Sequence, residues 1–299
     1  MRDRRCFQCV ALLLPLLIAV LSGGCARQPP NSGTGNQSLS GKKIRVTLTF
    51  ATTVNPLYLY YFVINMADNK GNPEPGGPGE QNAPGPIAVF TPISGQPYVS
   101  NGFATSSSPG VNGFSDFVLF SSPINQYKGN QQASGYSLYH VPSTADSNDR
   151  TKFQPNGGPL NPVVPGDPTQ PSSAVLQFDI DMSQLVFDSM GNTLDATQTI
   201  TDAKAIRFLQ VNVIATNLAP TNPQQFVSKQ VDSLGDTQTQ TGQTSYLTID
   251  LSQIGKTYQN SDYNGQNIFE PTDHSDVVGA ANPDAALDLR NWSIQVIQQ

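Results

Sequence analysis

Chemistry in this chain has few places to start. There are two histidines, His140 and His274. His274 stands in TDHSD beside Asp273 and Asp276, and imidazole converging with carboxylates can hold a metal ion. The plainer expectation there is a solvated acidic loop. His140 ends SLYH and is expected at the surface end of a strand. Asp179 and Asp181, in FDID, share one face of an extended segment, because side chains two apart point the same way. Such a pair could act as the two carboxylates of a glycosidase. It also serves as the polar face opposite Leu176, Phe178 and Ile180, and that is the expectation.

Other chemistry lacks its parts. No serine sits in Gly-x-Ser-x-Gly, no glycine loop has phosphate-binding spacing, and the Asp-x-Asp-x-Asp-Gly of a calcium loop is missing. No catalytic or metal-binding residue and no cofactor is therefore expected. Calcium stays open through an aspartate surplus, 19 against the three glutamates Glu74, Glu80 and Glu270. For binding, Tyr98, Tyr127, Tyr258 and Tyr263 lie in Gly/Asn/Gln-rich stretches and are the candidate rings for stacking on a sugar face. Trp292 shares a face with Ile294 and Val296 and reads as core.

The elements that must position these residues are strands. KIRVTLTFATT (43–53) alternates Ile44, Val46, Leu48 and Phe50 with Arg45, Thr47 and Thr49, the pattern of a half-buried strand. LYLYYFVINM (57–66) is apolar on both faces and is expected at the centre of a sheet. Further strands are expected at 86–92, 114–122, 135–141, 173–182, 205–216, 245–252 and 291–298. No helical period is evident after residue 24, although TDAKAI (201–206) could hold one turn. The lack of βαβ alternation argues against a two-lobed α/β solute-binding protein. Asp favours turns and Glu favours helices, so the carboxylate imbalance repeats the all-β message.

Two connections, 67–85 and 142–172, are rich in Pro and Gly. Proline removes a ladder donor and glycine adds entropy, so neither is expected to pair in a sheet. The second is either a linker between two domains or a loop draped over one sandwich; one sandwich over 43–299 is the expectation. Two echoes also occur. FDIDMSQL (178–185) parallels LTIDLSQI (247–254), and FDSMG (187–191) parallels VDSLG (231–235). Their order differs between the copies, which argues for repeated local solutions over a duplication. Asp-Ser-x-Gly suits a turn that an aspartate closes and a glycine completes.

The N-terminus speaks to compartment. Residues 1–24 carry basic Arg2, Arg4 and Arg5, an apolar run from Cys9 to Leu21, and small Ser22, Gly23 and Gly24, the parts of an export signal. The run falls short of the roughly 20 apolar residues a bilayer span needs. Gly23, Gly24 and Cys25 resemble the lipobox of bacterial lipoproteins, although Ser22 stands where leucine is usual. That resemblance implies cleavage before Cys25 and acylation of its thiol; ordinary cleavage after Ala26 is the alternative. It also implies anchorage in a lipid bilayer, the outer membrane in a double-membraned host, since Ala26 and not aspartate follows. Residues 25–42 then form a flexible tether. The three cysteines, Cys6, Cys9 and Cys25, all lie at or before the cut, so none can cross-link the mature domain. The chain after residue 24 keeps 13 basic and 21 acidic side chains, net −8, which makes nucleic acid a poor partner.

The strand pattern and the IDLSQ segments resemble, over scattered strands, the β-sandwich modules that bind carbohydrate or haem at cell surfaces. Haem is the weaker implication, because no methionine and histidine pair is placed to ligate iron. The sequence therefore predicts an exported, lipid-anchored all-β protein, an antiparallel β-sandwich with long Pro/Gly-rich loops, serving as a non-catalytic binding or structural module for polysaccharide or another envelope protein. Its rival is an envelope glycan hydrolase working through paired aspartates.

Overall fold

In the computed structural model the described residues are 41–66, 86, 114–121, 135–140, 154–163, 165, 174–186, 194–217, 230–235, 246–273, 276–277 and 282–298. They form two antiparallel sheets packed face to face, as the alternating patterns require. The first sheet has the order β11 (Thr257–Gln259), β12 (Leu289–Gln298), β1 (Lys42–Phe50), β7 (Val175–Asp181), β6 (Leu160–Val163). The second runs β10 (Leu247–Asp250), β8 (Phe208–Thr216), β2 (Leu59–Asn65), β3 (Asp116–Phe120), β4 (Tyr136–His140), β5 (Gln154–Pro155), with β9 (Val231–Ser233) also pairing β8.

Register turns each sequence pattern into a layer. Across the first sheet Ile44 faces Ile180 and Val296, Val46 faces Phe178 and Ile294, and Leu48 faces Leu176 and Trp292. These three rows form one wall of the core, and all nine side chains are buried. The opposite wall comes from Tyr60, Phe62 and Ile64 of β2 with Val118, Phe120, Tyr136, Leu138, Val211 and Val213. Rings bridge the sheets: Phe50 meets Tyr60 edge-on at 4.9 Å, and Phe178 meets Phe62 at 5.8 Å and Tyr136 at 5.6 Å. Edge-to-face pairs of this kind add about 0.5–1.5 kcal/mol each beyond their burial. β2 is buried along its whole length, which fits its two apolar faces and its place between β8 and β3. On its outer side Tyr61, Phe117 and Tyr139 form a second aromatic cluster, with Phe117 and Tyr139 stacked at 4.9 Å.

Three departures from the sequence reading are informative. Part of 142–172 does pair: β5 lies on the edge of one sheet and β6 on the edge of the other, so this proline-rich stretch runs from sheet to sheet. Edges are where a missing N–H costs least, and Pro155 and Pro162 occupy them. Asn161 adopts φ 47° where the β6–β7 register shifts. A ten-residue helix, α1 (Ala196–Ala205), replaces the single turn foreseen at 201–206. Its sequence hides it because only Ala203 is buried, yet Asp195 caps it by accepting from the N–H groups of Thr197 and Gln198. Finally, β9 and β11 are three-residue strands, too short to leave a period. Asn36–Gln299 make up one compact unit, and both sheets draw strands from either side of 142–172. No described helix is long and apolar enough to cross a membrane.

Candidate functional site

The residues singled out for chemistry are tied into the fold. Asp179 is buried on β7 and faces Arg45 across the strand pair; the guanidinium donates from Nε to Oδ1 at 2.8 Å and from Nη2 to Oδ2 at 3.0 Å. Asn161 Nδ2 donates to the same Oδ2 at 2.9 Å. Asp181 does something else. It caps a 3-10 turn, Met182–Leu185, by accepting from Ser183 N at 2.9 Å, while Gln184 Oε1 accepts from Asp181 N at 3.1 Å. One carboxylate is an ion-pair partner and the other a cap, so they stand side by side as a polar face with separate duties.

His140 is not at the surface. Alternation places it on the core side of β4, where it is 5% exposed, and register pairs it with Asp116. Its Nδ1 lies 3.0 Å from Asp116 Oδ1. A buried imidazole at a strand end is satisfied by a carboxylate on the neighbouring strand. Of the tyrosines, Tyr258 sits in β11 at 4% exposure, its hydroxyl accepting from Asp250 N at 2.9 Å and its ring under Lys256 Nζ at 4.3 Å. Tyr263 is half-buried against Trp292 at 5.4 Å, and burial, with Tyr258 and Asp262 nearby, pushes its hydroxyl up to about 12. Both rings anchor the segment between β10 and β12, and polar neighbours in sequence disguised that. Trp292 is core as read, with Nε1 donating to Ile268 O. Cys25, Tyr98, Tyr127 and His274 lie outside the described residues.

The side chains that do gather come from three distant segments. Asp232 lies in β9, Glu270 follows the 3-10 turn Asn260–Tyr263, and Asp276 lies on the way to β12; one carboxylate oxygen from each falls within 4.8 Å of the others. All three are buried. The VDSLG turn organises them. Asp232 Oδ1 accepts from Ser233 N at 2.9 Å and Oδ2 from Leu289 N at 2.7 Å, while Gly235 N donates to Glu270 Oε1 at 2.7 Å. Gly235 has φ +84°, and a Cβ there would come 1.6 Å from the carbonyl oxygen of Asn267, so only glycine lets this backbone pass so close. Asn260 fixes Glu270 from behind, accepting from its N–H at 2.8 Å and donating to its carbonyl at 3.2 Å.

A fourth carboxylate, Asp288, precedes β12 and lies 2.7 Å from Arg290 Nη2. Burial, then the charges of Asp276 and Asp288, push the Asp232 carboxyl well above the usual range; burial and the charges of Asp232, Asp276 and Asp288 do the same to Glu270. The N–H donors of Gly235, Ser233 and Leu289 pull the other way. TDHSD thus divides: Asp273 is exposed, as a solvated loop requires, whereas Asp276 is buried in the cluster. The sequence showed the VDSLG turn but gave no sign that its aspartate and glycine meet a glutamate 35 residues away. Comparisons with protein-family models, curated proteins and solved structures each return no significant match.

Proposed function

We propose that this protein is an exported, lipid-anchored module of the cell envelope that binds polysaccharide or another envelope protein and does not catalyse. The observation that carries the non-catalytic part is the engagement of Asp179 and Asp181. A glycosidase needs one carboxylate able to give a proton and another able to attack or activate water across a cleft; here one is gripped by Arg45 and Asn161 and the other caps a turn. The anchored part rests on Gly23-Gly24-Cys25 after a short apolar run. Two or more acyl chains on one cysteine, at about 0.8 kcal/mol per buried methylene, make release from a bilayer negligible.

Two measurements test this. The full-length chain made in a bacterial host is expected in the membrane fraction, and Cys25→Ala is expected to release it; a variant that stays with the membrane overturns the anchor. The mature protein, incubated with insoluble envelope and plant polysaccharides, is expected to be depleted from solution without releasing sugar. Sugar release that disappears in both Asp179→Asn and Asp181→Asn would replace binding by glycan hydrolysis.

A further inference from the structure

We propose that Asp232, Glu270 and Asp276 form a buried calcium site, which locks the segment between β11 and β12 onto the edge of the second sheet. The inference is independent of the envelope reading, since it uses only residues of the sandwich.

Crowded acids alone would not carry it. The observation that points to a ligand is Glu270: its side chain is fully buried, its Oε1 takes the Gly235 N–H, and its Oε2 accepts no hydrogen bond from any described residue. A buried carboxylate oxygen with no donor carries a full desolvation penalty. Here that oxygen belongs to a residue already grouped with two other buried carboxylates. A cation at the centre would answer it and at the same time turn their mutual repulsion into ligation.

Part of the fold favours the anions, against the burial and crowding that raise both carboxyls. Backbone N–H groups of Ser233, Leu289 and Gly235 donate to the carboxylates of Asp232 and Glu270, and such donors favour the charged form. Each accepting oxygen retains a lone pair for a metal. Two of the ligand groups are held by separate anchors, β9 with its turn for Asp232 and the Asn260 clamp for Glu270. Orientation of the ligating groups by outer hydrogen bonds is what metal sites require.

The donor set selects the ion. All three are carboxylates, and among the described residues neither imidazole nor thiolate joins them, which suits a hard cation. Two oxygens on opposite sides of one Ca²⁺ are separated by about 4.6–5.2 Å, against about 4.0–4.2 Å for Mg²⁺. Ligand oxygens that all lie within 4.8 Å of one another can share one Ca²⁺. Mg²⁺ moreover gives up its waters reluctantly and favours open sites, whereas this one is enclosed.

The test uses the mature protein, stripped with chelator and titrated with CaCl₂ by calorimetry and thermal melting, with MgCl₂ as the counter-probe. One Ca²⁺ per chain is expected, with a melting temperature raised by roughly 5–10 °C at a hundredfold excess over the dissociation constant. Mg²⁺ is expected to give a small fraction of that rise. Glu270→Gln and Asp276→Asn should each weaken calcium binding at least tenfold while leaving the far-UV circular dichroism unchanged; two variants are used so that a folding failure in one leaves the other to decide. Absence of calcium binding by the unaltered protein would make the cluster a group of carboxyls sharing protons, and overturn the site. So would an equal response to Mg²⁺, or a calcium response undiminished in a folded variant.

Discussion

Aspartates crowd two regions of this molecule and are treated in opposite ways. On the flank of the first sheet, Asp179 and Asp181 are neighbours in sequence, and each is satisfied by groups within hydrogen-bond reach, Arg45 and Asn161 for one and the turn of Ser183 for the other. Beside the second sheet, Asp232, Glu270 and Asp276 are strangers in sequence and crowd one another. Two acids close in sequence need not act together, because alternate positions on a strand can face different partners. Three acids far apart can, because turns decide where they arrive.

The strongest way to break the second region is to keep it from assembling. Gly235→Ala puts a methyl into the Asn267 carbonyl and holds an alanine at φ +84°. It is expected to cost about 3 kcal/mol or more, read as a lower urea midpoint, and to abolish any response to calcium. Among the described residues no glycine makes so close a contact on the Asp179 flank; for Gly235, a stability loss under about 1 kcal/mol would mean that the turn is not what gathers the carboxylates.

Next in size is a pair of like substitutions with opposite signs. Asp179→Asn leaves Arg45 facing a neutral amide and forfeits one arm of the paired hydrogen bonds, at a cost of about 1–3 kcal/mol. Glu270→Gln in chelator removes a buried carboxyl whose charged form burial and its acidic neighbours disfavour. Its amide oxygen can still accept from Gly235 N, so the metal-free protein is expected to become more stable, by about 1–2 kcal/mol. Denaturation of both variants in chelator reads the two signs side by side. Equal destabilisation would mean that the cluster is neutralised from within, as the flank is.

This contrast marks what could be read in the sequence. The sandwich was legible because strand alternation is a local property: Ile44, Val46, Leu48 and Phe50 announce their face without knowledge of their partners. β2 was legible as central for the same reason. Segments governed by contact with something else were not. β5 and β6 pair through prolines that only an edge tolerates, and α1 is set by the Asp195 cap more than by an apolar stripe. Asp195 with Gln198 three places on was a helix-start signal that could have found it. His140 looked like a surface residue because its partner, Asp116, is 24 positions away. The carboxylate cluster needs a turn, a clamp and an unusually close backbone contact to coincide, and no spacing rule encodes that.

The smallest expected effect concerns the echo of the IDLSQ segments. In both copies the aspartate accepts from the serine N–H two residues on, at 2.9 Å, so the local chemistry is the same. The settings differ. Asp181 is buried within a reciprocal cap whose Gln184 also donates to Gly158 O at 3.0 Å, and Asn156 Nδ2 donates to Gln184 O at 2.6 Å, fastening the turn to the stretch between β5 and β6. Asp250 closes an exposed turn after β10 and draws a second bond from the Ser252 hydroxyl at 2.6 Å. Asp181→Ala should therefore cost about 1–2 kcal/mol and Asp250→Ala about 0.5 kcal/mol, compared by urea denaturation in one buffer. If the two costs are equal, the cap's value is wholly local and the bonds from Gln184 and Asn156 add nothing. A larger cost at Asp181 makes the same local motif worth more where the two sheets are joined, which is the rule the two acidic regions already obey: neighbours in space, not in sequence, set what a carboxylate does.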